Sequence, residues 1–211
     1  MHDYWLEFGK VALAHALGVA SPGPDFAIVL KQSLTHGRRT AIWTSIGVGT
    51  ANMLQVSYSL LGLGLLLKSS ALWFDIVKYA GAGYIAWLGV QSLRVRPRDA
   101  AAIANGNGRA APSTHGAFAT GFFTNVLNPK ATLFFISLFV LVVSPQTPKL
   151  IQAGYGLWMS LATIGWFTFV SVCFTRDEVR RNFLRHGHWI DRALGVVFLA
   201  FAASLVMATV I

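Results

Sequence analysis

Long apolar runs separated by short polar, mostly basic stretches dominate this chain. Six runs reach the roughly 20 apolar residues that a bilayer-spanning helix needs. They cover residues 11–30, 41–67, 71–93, 116–144, 150–175 and 189–211. Two of the six are interrupted. "SPGPDF" (21–26) breaks the first and "NPK" (128–130) breaks the fourth. Ser21 falls at the midpoint of its run, and the other run centres on residue 130. Ser21-Pro22 and Asn128-Pro129 each pair a good N-cap residue with a proline, which suits the first position of a helix. The pattern therefore predicts six transmembrane helices, of which the first and fourth stop and restart near the bilayer midplane.

Composition agrees. Hydrophobic residues make up 55% of the 211, and only 12% are charged. Mean hydropathy is +0.56. A soluble domain carries about 25% charged residues, so the expected class is an all-α membrane protein with the lipid bilayer as its solvent. The net charge of +9 does not mark a nucleic-acid partner, because the basic residues sit between apolar runs. Cys173 is the only cysteine, which rules out an intramolecular disulfide and a CxxC metal site. It reads as a small apolar helix residue. Asp3 and Glu7 stand where a cleaved signal would be basic, so the first segment is read as retained. Tyr4 and Trp5 suit the membrane interface.

Charge distribution sets the expected orientation. Lys31, Arg38 and Arg39 lie between the first two runs, and Arg94, Arg96, Arg98 and Arg109 between the third and fourth. Arg176, Arg180, Arg181, Arg185 and Arg192 lie at the fifth junction. By the positive-inside bias these loops face the cytoplasm, which puts both termini outside it. Three spans, a loop and three more spans suggest two inverted repeats, residues 1–93 and 116–211, joined by a flexible stretch at 94–115. "KYAGAGYIAWLG" (78–89) laid on "RALGVVFLAFAA" (192–203) matches Gly81 with Gly195 and Ala86 with Ala200. The paired breaks support the repeat better than this alignment does.

The breaks carry the candidate chemistry. Backbone groups opened in hydrocarbon persist only where protein or a watery cavity satisfies them. Each restarting half-helix brings a partial positive charge to the midplane, and two together make an anion site fit for a carboxylate. Gly23 would allow close backbone approach. Asp25 follows the first break. Its local role would be to favour the dipole of its half-helix, and its functional role to carry a proton or bind a substrate ammonium. A carboxylate at this depth costs about 2.5–3.5 kcal/mol, against about 0.3–1 returned by the dipole and up to about 2 in partly buried geometry. Function is therefore the favoured role. Lys130, a cation at a helix N-terminus, needs Asp25 or a substrate carboxylate as partner, or else snorkels. The substrate-binding set is Ser21, Pro22, Gly23, Pro24, Asp25, Asn125, Asn128, Pro129 and Lys130, with Asp25 also the proton-coupling residue.

Asn52, Gln55 and Thr124 form a second tier of pore-lining candidates, with Thr50 and Thr120 beside them. They could equally serve interhelical hydrogen bonding. Gly62, Gly64, Gly81, Gly83 and Gly89 read as packing residues. His15 is a minor proton-relay candidate. His186 and His188 form a loop pair with too few ligands for a metal. Glu7, Asp75 and Lys78 are expected to be solvated at the outer boundary. No GxxxxGK[ST], GxSxG or HExxH motif occurs, so neither an enzyme nor an ATP-driven pump is expected. No cofactor and no metal site is expected either.

"SPGPDFAIVLKQSLTHGRRTAIWTSIGVGT" (21–50), "KYAGAGYIAWLGVQSLR" (78–94) and "GFFTNVLNPKATLFFISLF" (121–139) together resemble the lysine exporter (LysE/RhtB) family of amino-acid exporters. The resemblance covers the chain apart from 94–115. It implies export of amino acids or close derivatives across a bacterial inner membrane, by exchange with a cation such as the proton. The family's PGP falls on Pro22, Gly23 and Pro24, and its NPK on Asn128, Pro129 and Lys130. The alternatives are a cation or metal exporter, or a passive channel, of the same architecture. A homodimer is compatible with the glycines, which do not establish it.

Overall fold

The computed structural model describes residues 4–21, 23–69, 71–95, 111–175 and 177–207. All their regular structure is helical. In chain order the helices are α1 (Tyr4–Ala20), α2 (Pro24–Thr35), α3 (Arg38–Ser69), α4 (Ala71–Leu93), α5 (Thr114–Val126), α6 (Pro129–Leu141), α7 (Lys149–Cys173) and α8 (Asp177–Met207).

Both expected interruptions are present. α1 and α2 are bent by 53°, and α5 and α6 by 57°. At the second break Asn128 is extended (φ −82°, ψ 105°), and its side chain accepts from the Lys130 amide at 3.0 Å. Pro129 opens α6, where its missing N–H costs nothing. The first break differs from expectation. Ser21 does not cap the restarting helix but ends α1, its amide donating to Leu17 O at 3.1 Å. Gly23 is the N-cap, with φ −174° and ψ −175°, and Pro24 is the first helical residue. The reason is local: a residue before proline is driven out of the α region, so the restart waits for the second proline. Pro22 lies outside the described residues.

Other boundaries shift too. α8 begins at Asp177, well before the apolar run at 189, so His186 and His188 are helical rather than in a loop. Hydropathy marks where a helix meets lipid. Helix propensity of Glu178, Arg180, Arg181 and Leu184 carries it further. Glu7, expected to be solvated, is buried in α1. It accepts from Ser144 N at 2.8 Å and from Thr147 Oγ1 at 2.8 Å, tying α1 to the turn before α7. The side chains of Asp75 and Lys78 and the surroundings of Gly62 and Gly64 lie outside the description, as does most of the 94–115 loop.

Among the described residues α7 is by itself long and apolar enough to cross a membrane, and each bent pair is so as a unit. Leu13, Leu61, Leu157, Leu161 and Phe169 are 53–71% exposed, an apolar surface that lipid covers without penalty. Inside, small residues bring backbones together. A Cβ on Gly47 would stand 2.1 Å from Phe118 O, and one on Gly121 2.0 Å from Thr44 O. α3 and α5 thus touch backbone to backbone. α4 and α8 do the same, since Cβ atoms on Gly89 and Gly195 would each fall within 3.0 Å of the other's carbonyl oxygen. Gly81 faces Ser137 Oγ, while nothing lies within 4 Å of the Gly83 position.

Two apolar clusters lie one above the other. Val11, Ala14, Val56, Phe134, Phe139, Tyr155 and Met159 belong to one. Phe26, Val29, Leu30, Val48, Phe167 and Phe174 belong to the other. Along α3 and α7 they are separated by one turn on each side of Asn52 and Thr163. The layer between them is polar, and the broken helices end there.

Candidate functional site

The two breaks are cross-linked by their own side chains. Asp25, in the first turn of α2, receives both asparagines of the other break on Oδ2: Asn125 Nδ2 at 3.0 Å and Asn128 Nδ2 at 3.1 Å. Lys130 reaches the opposite way. Its Nζ donates to Ser21 Oγ at 2.9 Å and to Ser21 O at 3.3 Å. Asn128 serves both purposes at once, its Oδ1 capping α6 while its Nδ2 holds Asp25. Gly23 leaves room for the lysine, since a Cβ there would stand 3.1 Å from Lys130 Nζ. The carboxyl-terminal ends of α1 and α5 and the amino-terminal ends of α2 and α6 therefore meet in one layer, with Lys130 and Asp25 between them.

Behind this pair runs a buried polar chain. Asn52 Nδ2 donates to Thr163 Oγ1 at 2.7 Å, and His15 Nε2 lies 3.1 Å from the same hydroxyl. Gln55 Nε2 donates to Asn125 O at 3.0 Å, a carbonyl at the end of α5 that also accepts from Asn128 N at 3.0 Å.

Cavities lie on both sides of the Ser21–Lys130 contact. One, of about 50 Å³, is lined by His15, Asp25, Asn52, Asn125 and Thr163. The other, of about 650 Å³, is lined by Tyr84, Trp87, Gln91 and Ser92 of α4 together with Pro24 and Pro129. Ser21, Gly23, Asn128 and Lys130 line both. They form the wall between a small chamber and a wide one beside the carboxyl-terminal end of α4.

Of the residues singled out in the sequence, Ser21, Gly23, Asp25, Asn125, Asn128 and Lys130 meet at this wall, and Pro24 and Pro129 border its wide side. Asn52 and Gln55 are buried next to it. Thr124 is half-buried and lines neither cavity. Thr50 is exposed and bonds back to Ile46 O. Lys130 was expected to take Asp25 or a substrate carboxylate as partner, or else to snorkel; its Nζ donates to Ser21, and the two asparagines take Asp25 Oδ2. Sequence reasoning missed Thr163, a lone hydroxyl in an apolar helix. It also missed Asp191, which is buried in α8 and, with Asp25, acts on the charge of Lys130. A single acid at the start of the last apolar run was the available signal. Tyr84 and Trp87 stack at 5.5 Å and gave no signal beyond aromatic content.

The profile described as LysE type translocator matches residues 16–209. The threonine efflux protein of Salmonella typhi is 31% identical over 201 residues, covering 95% of this chain and 98% of that protein. The homoserine/homoserine lactone efflux protein of Salmonella typhimurium is 33% identical over 150 residues, 71% of this chain and 69% of its own length. The leucine efflux protein of Klebsiella pneumoniae is 29% identical over 195 residues, 87% of each. No solved structure matches.

Proposed function

The chain belongs to the LysE type translocator family, and from that premise we propose that it exports a neutral amino acid across the bacterial inner membrane in exchange for protons. The observation that carries this reading is the cross-linked pair of breaks, with Lys130 on the wall between two chambers. An amino acid brings a carboxylate and an ammonium. The carboxylate suits Lys130 and the starts of α2 and α6, where unpaired amides and the helix dipoles favour negative charge. The ammonium suits Asp25. The wide chamber of about 650 Å³ lies within the range of small-molecule sites, and the matched relatives are named for threonine, homoserine and leucine efflux.

In this reading each bent pair is one span. Two inverted halves, 1–93 and 116–211, are joined by 94–115, with both termini outside the cytoplasm and the wide chamber facing inward. Substrate enters beside α4 and displaces Ser21 from Lys130. It passes the wall as its ammonium replaces a proton on Asp25. One proton moving inward across 100 mV supplies about 2.3 kcal/mol, or roughly fortyfold in substrate gradient. Each chain holds a complete pathway, so a homodimer would be two independent exporters.

The test uses proteoliposomes loaded with radiolabelled threonine, homoserine, leucine or lysine, with and without an imposed proton gradient. Saturable, gradient-driven efflux of the neutral substrates is expected. Efflux indifferent to the gradient would remove proton exchange, and no efflux of any amino acid would remove the substrate class.

A further inference from the structure

Three buried side-chain oxygens at or next to the wall have no hydrogen-bond partner among the described residues: Asp25 Oδ1, Asn125 Oδ1 and Gln55 Oε1. Asn125 is 2% exposed and Gln55 fully buried. Such orphans are rare, and each calls for a physical cause. Their other atoms are all engaged. Asp25 Oδ2 holds two amide donors, Asn125 Nδ2 donates to Asp25, and Gln55 Nε2 donates to the Asn125 carbonyl. The three residues thus form one connected group whose donors are spent and whose acceptors are not. Acceptors in such surplus fit a ligand that only donates or is itself a cation.

We propose that Asp25 Oδ1, Asn125 Oδ1 and Gln55 Oε1 form an oxygen-lined site for one monovalent cationic group. The chemistry is hard oxygen: one carboxylate and two amide carbonyls, with no sulfur. Asp25 and Asn125 line the small chamber of about 50 Å³, which has room for a dehydrated alkali cation or the ammonium head of a substrate. Gln55, one turn of α3 beyond Asn52, is a binding residue that neither its distance from the breaks nor the PGP and NPK motifs would pick out.

The ammonium arm rests on the amino-acid export reading, and the alkali-cation arm does not. The purified full chain in nanodiscs is titrated by calorimetry with NaCl against choline chloride at constant ionic strength. It is then titrated with L-threonine and with 3-hydroxybutyrate, which lacks the ammonium. If the site takes the ammonium, Asn125→Leu and Gln55→Met weaken threonine about tenfold or more and leave 3-hydroxybutyrate unchanged. If it takes the alkali cation, NaCl gives a saturable heat that both variants abolish. In the wild type, where no variant can misfold, competition between NaCl and threonine reports a shared site. Threonine binding unchanged in folded variants, with no saturable NaCl heat, overturns the site while leaving amino-acid export standing. A NaCl heat with no amino-acid binding or efflux keeps the site and removes the export reading.

Discussion

At the scale of single residues, Lys130 and Gly23 are one device. The lysine donates twice to Ser21, and its stem runs along the glycine, with Cδ and Nζ both 3.1 Å from where a Cβ would sit. Lys130→Met removes the cation and both bonds. Hydrogen bonds of a charged group contribute about 1.5–3 kcal/mol, so threonine efflux from proteoliposomes should fall at least about tenfold. Wild-type efflux in that variant would take Lys130 off the pathway. Gly23→Ala is milder. An extended φ of −174° accepts any residue, so the fold should hold. The methyl displaces only the flexible end of Lys130, and efflux should slow by about fivefold, near 1 kcal/mol. A drop in melting temperature without a drop in efflux would show that Gly23 serves the backbone alone.

At the scale of elements, Asn128 separates capping from function. Its Oδ1 caps α6 and its Nδ2 holds Asp25. Asn128→Ala loses both, and the cap alone is worth about 1 kcal/mol. Asn128→Ser restores the cap but not the donor to Asp25. Thermal stability should recover in the serine variant while efflux stays low. Recovery of both would mean that the asparagine matters only as a cap. Helix contacts give a contrasting case. A methyl on Gly47 meets Phe118 O at 2.1 Å, and backbone cannot swing aside. Gly47→Ala should cost about 1–3 kcal/mol by overpacking, read as a lower melting temperature with the α3–α5 seam opened. Unchanged melting would mean that the seam can part without loss.

These elements also mark how far the sequence could be read. Proline after an N-cap residue located the Asn128 break to the residue, because cap chemistry is local. It misplaced the first restart, since two prolines two residues apart compete and the pre-proline constraint on Gly23 decides. Apolar runs located the helix centres but not the start of α8, whose polar first turns leave the lipid-like pattern while remaining helical. Asp25, Asn128 and Lys130 stood out because charge or amide in hydrocarbon is costly. Thr163, Asp191 and the α4 aromatics did not, because their neighbours come from distant helices. Which donor meets which acceptor is a tertiary fact. Lys130 donating to Ser21 is one example, and Glu7 folded under Thr147 rather than solvated is another.

At the scale of the whole molecule, the arrangement is two chambers divided by a thin polar wall, and the division predicts accessibility. Gln91 lines the wide chamber and Asn52 the small one. In a Cys173→Ser background, a cysteine at 91 should react with a hydrophilic thiol reagent supplied from the cytoplasmic side. A cysteine at 52 should stay unreactive until threonine is added and the Ser21–Lys130 contact opens. Exposed ends fix the sides. Arg94→Cys should label only after the membrane is permeabilised and Gln146→Cys in intact cells, both positions being exposed. The reverse labelling would invert the orientation and with it the direction of export. Lys130→Met in the Asn52→Cys chain completes the argument. With no cation to hold Ser21, the small chamber should label without substrate. Continued protection there would place the barrier elsewhere, and the apolar cluster of Phe26, Val48 and Phe167 on the cytoplasmic side of Asn52 would be the next element to open.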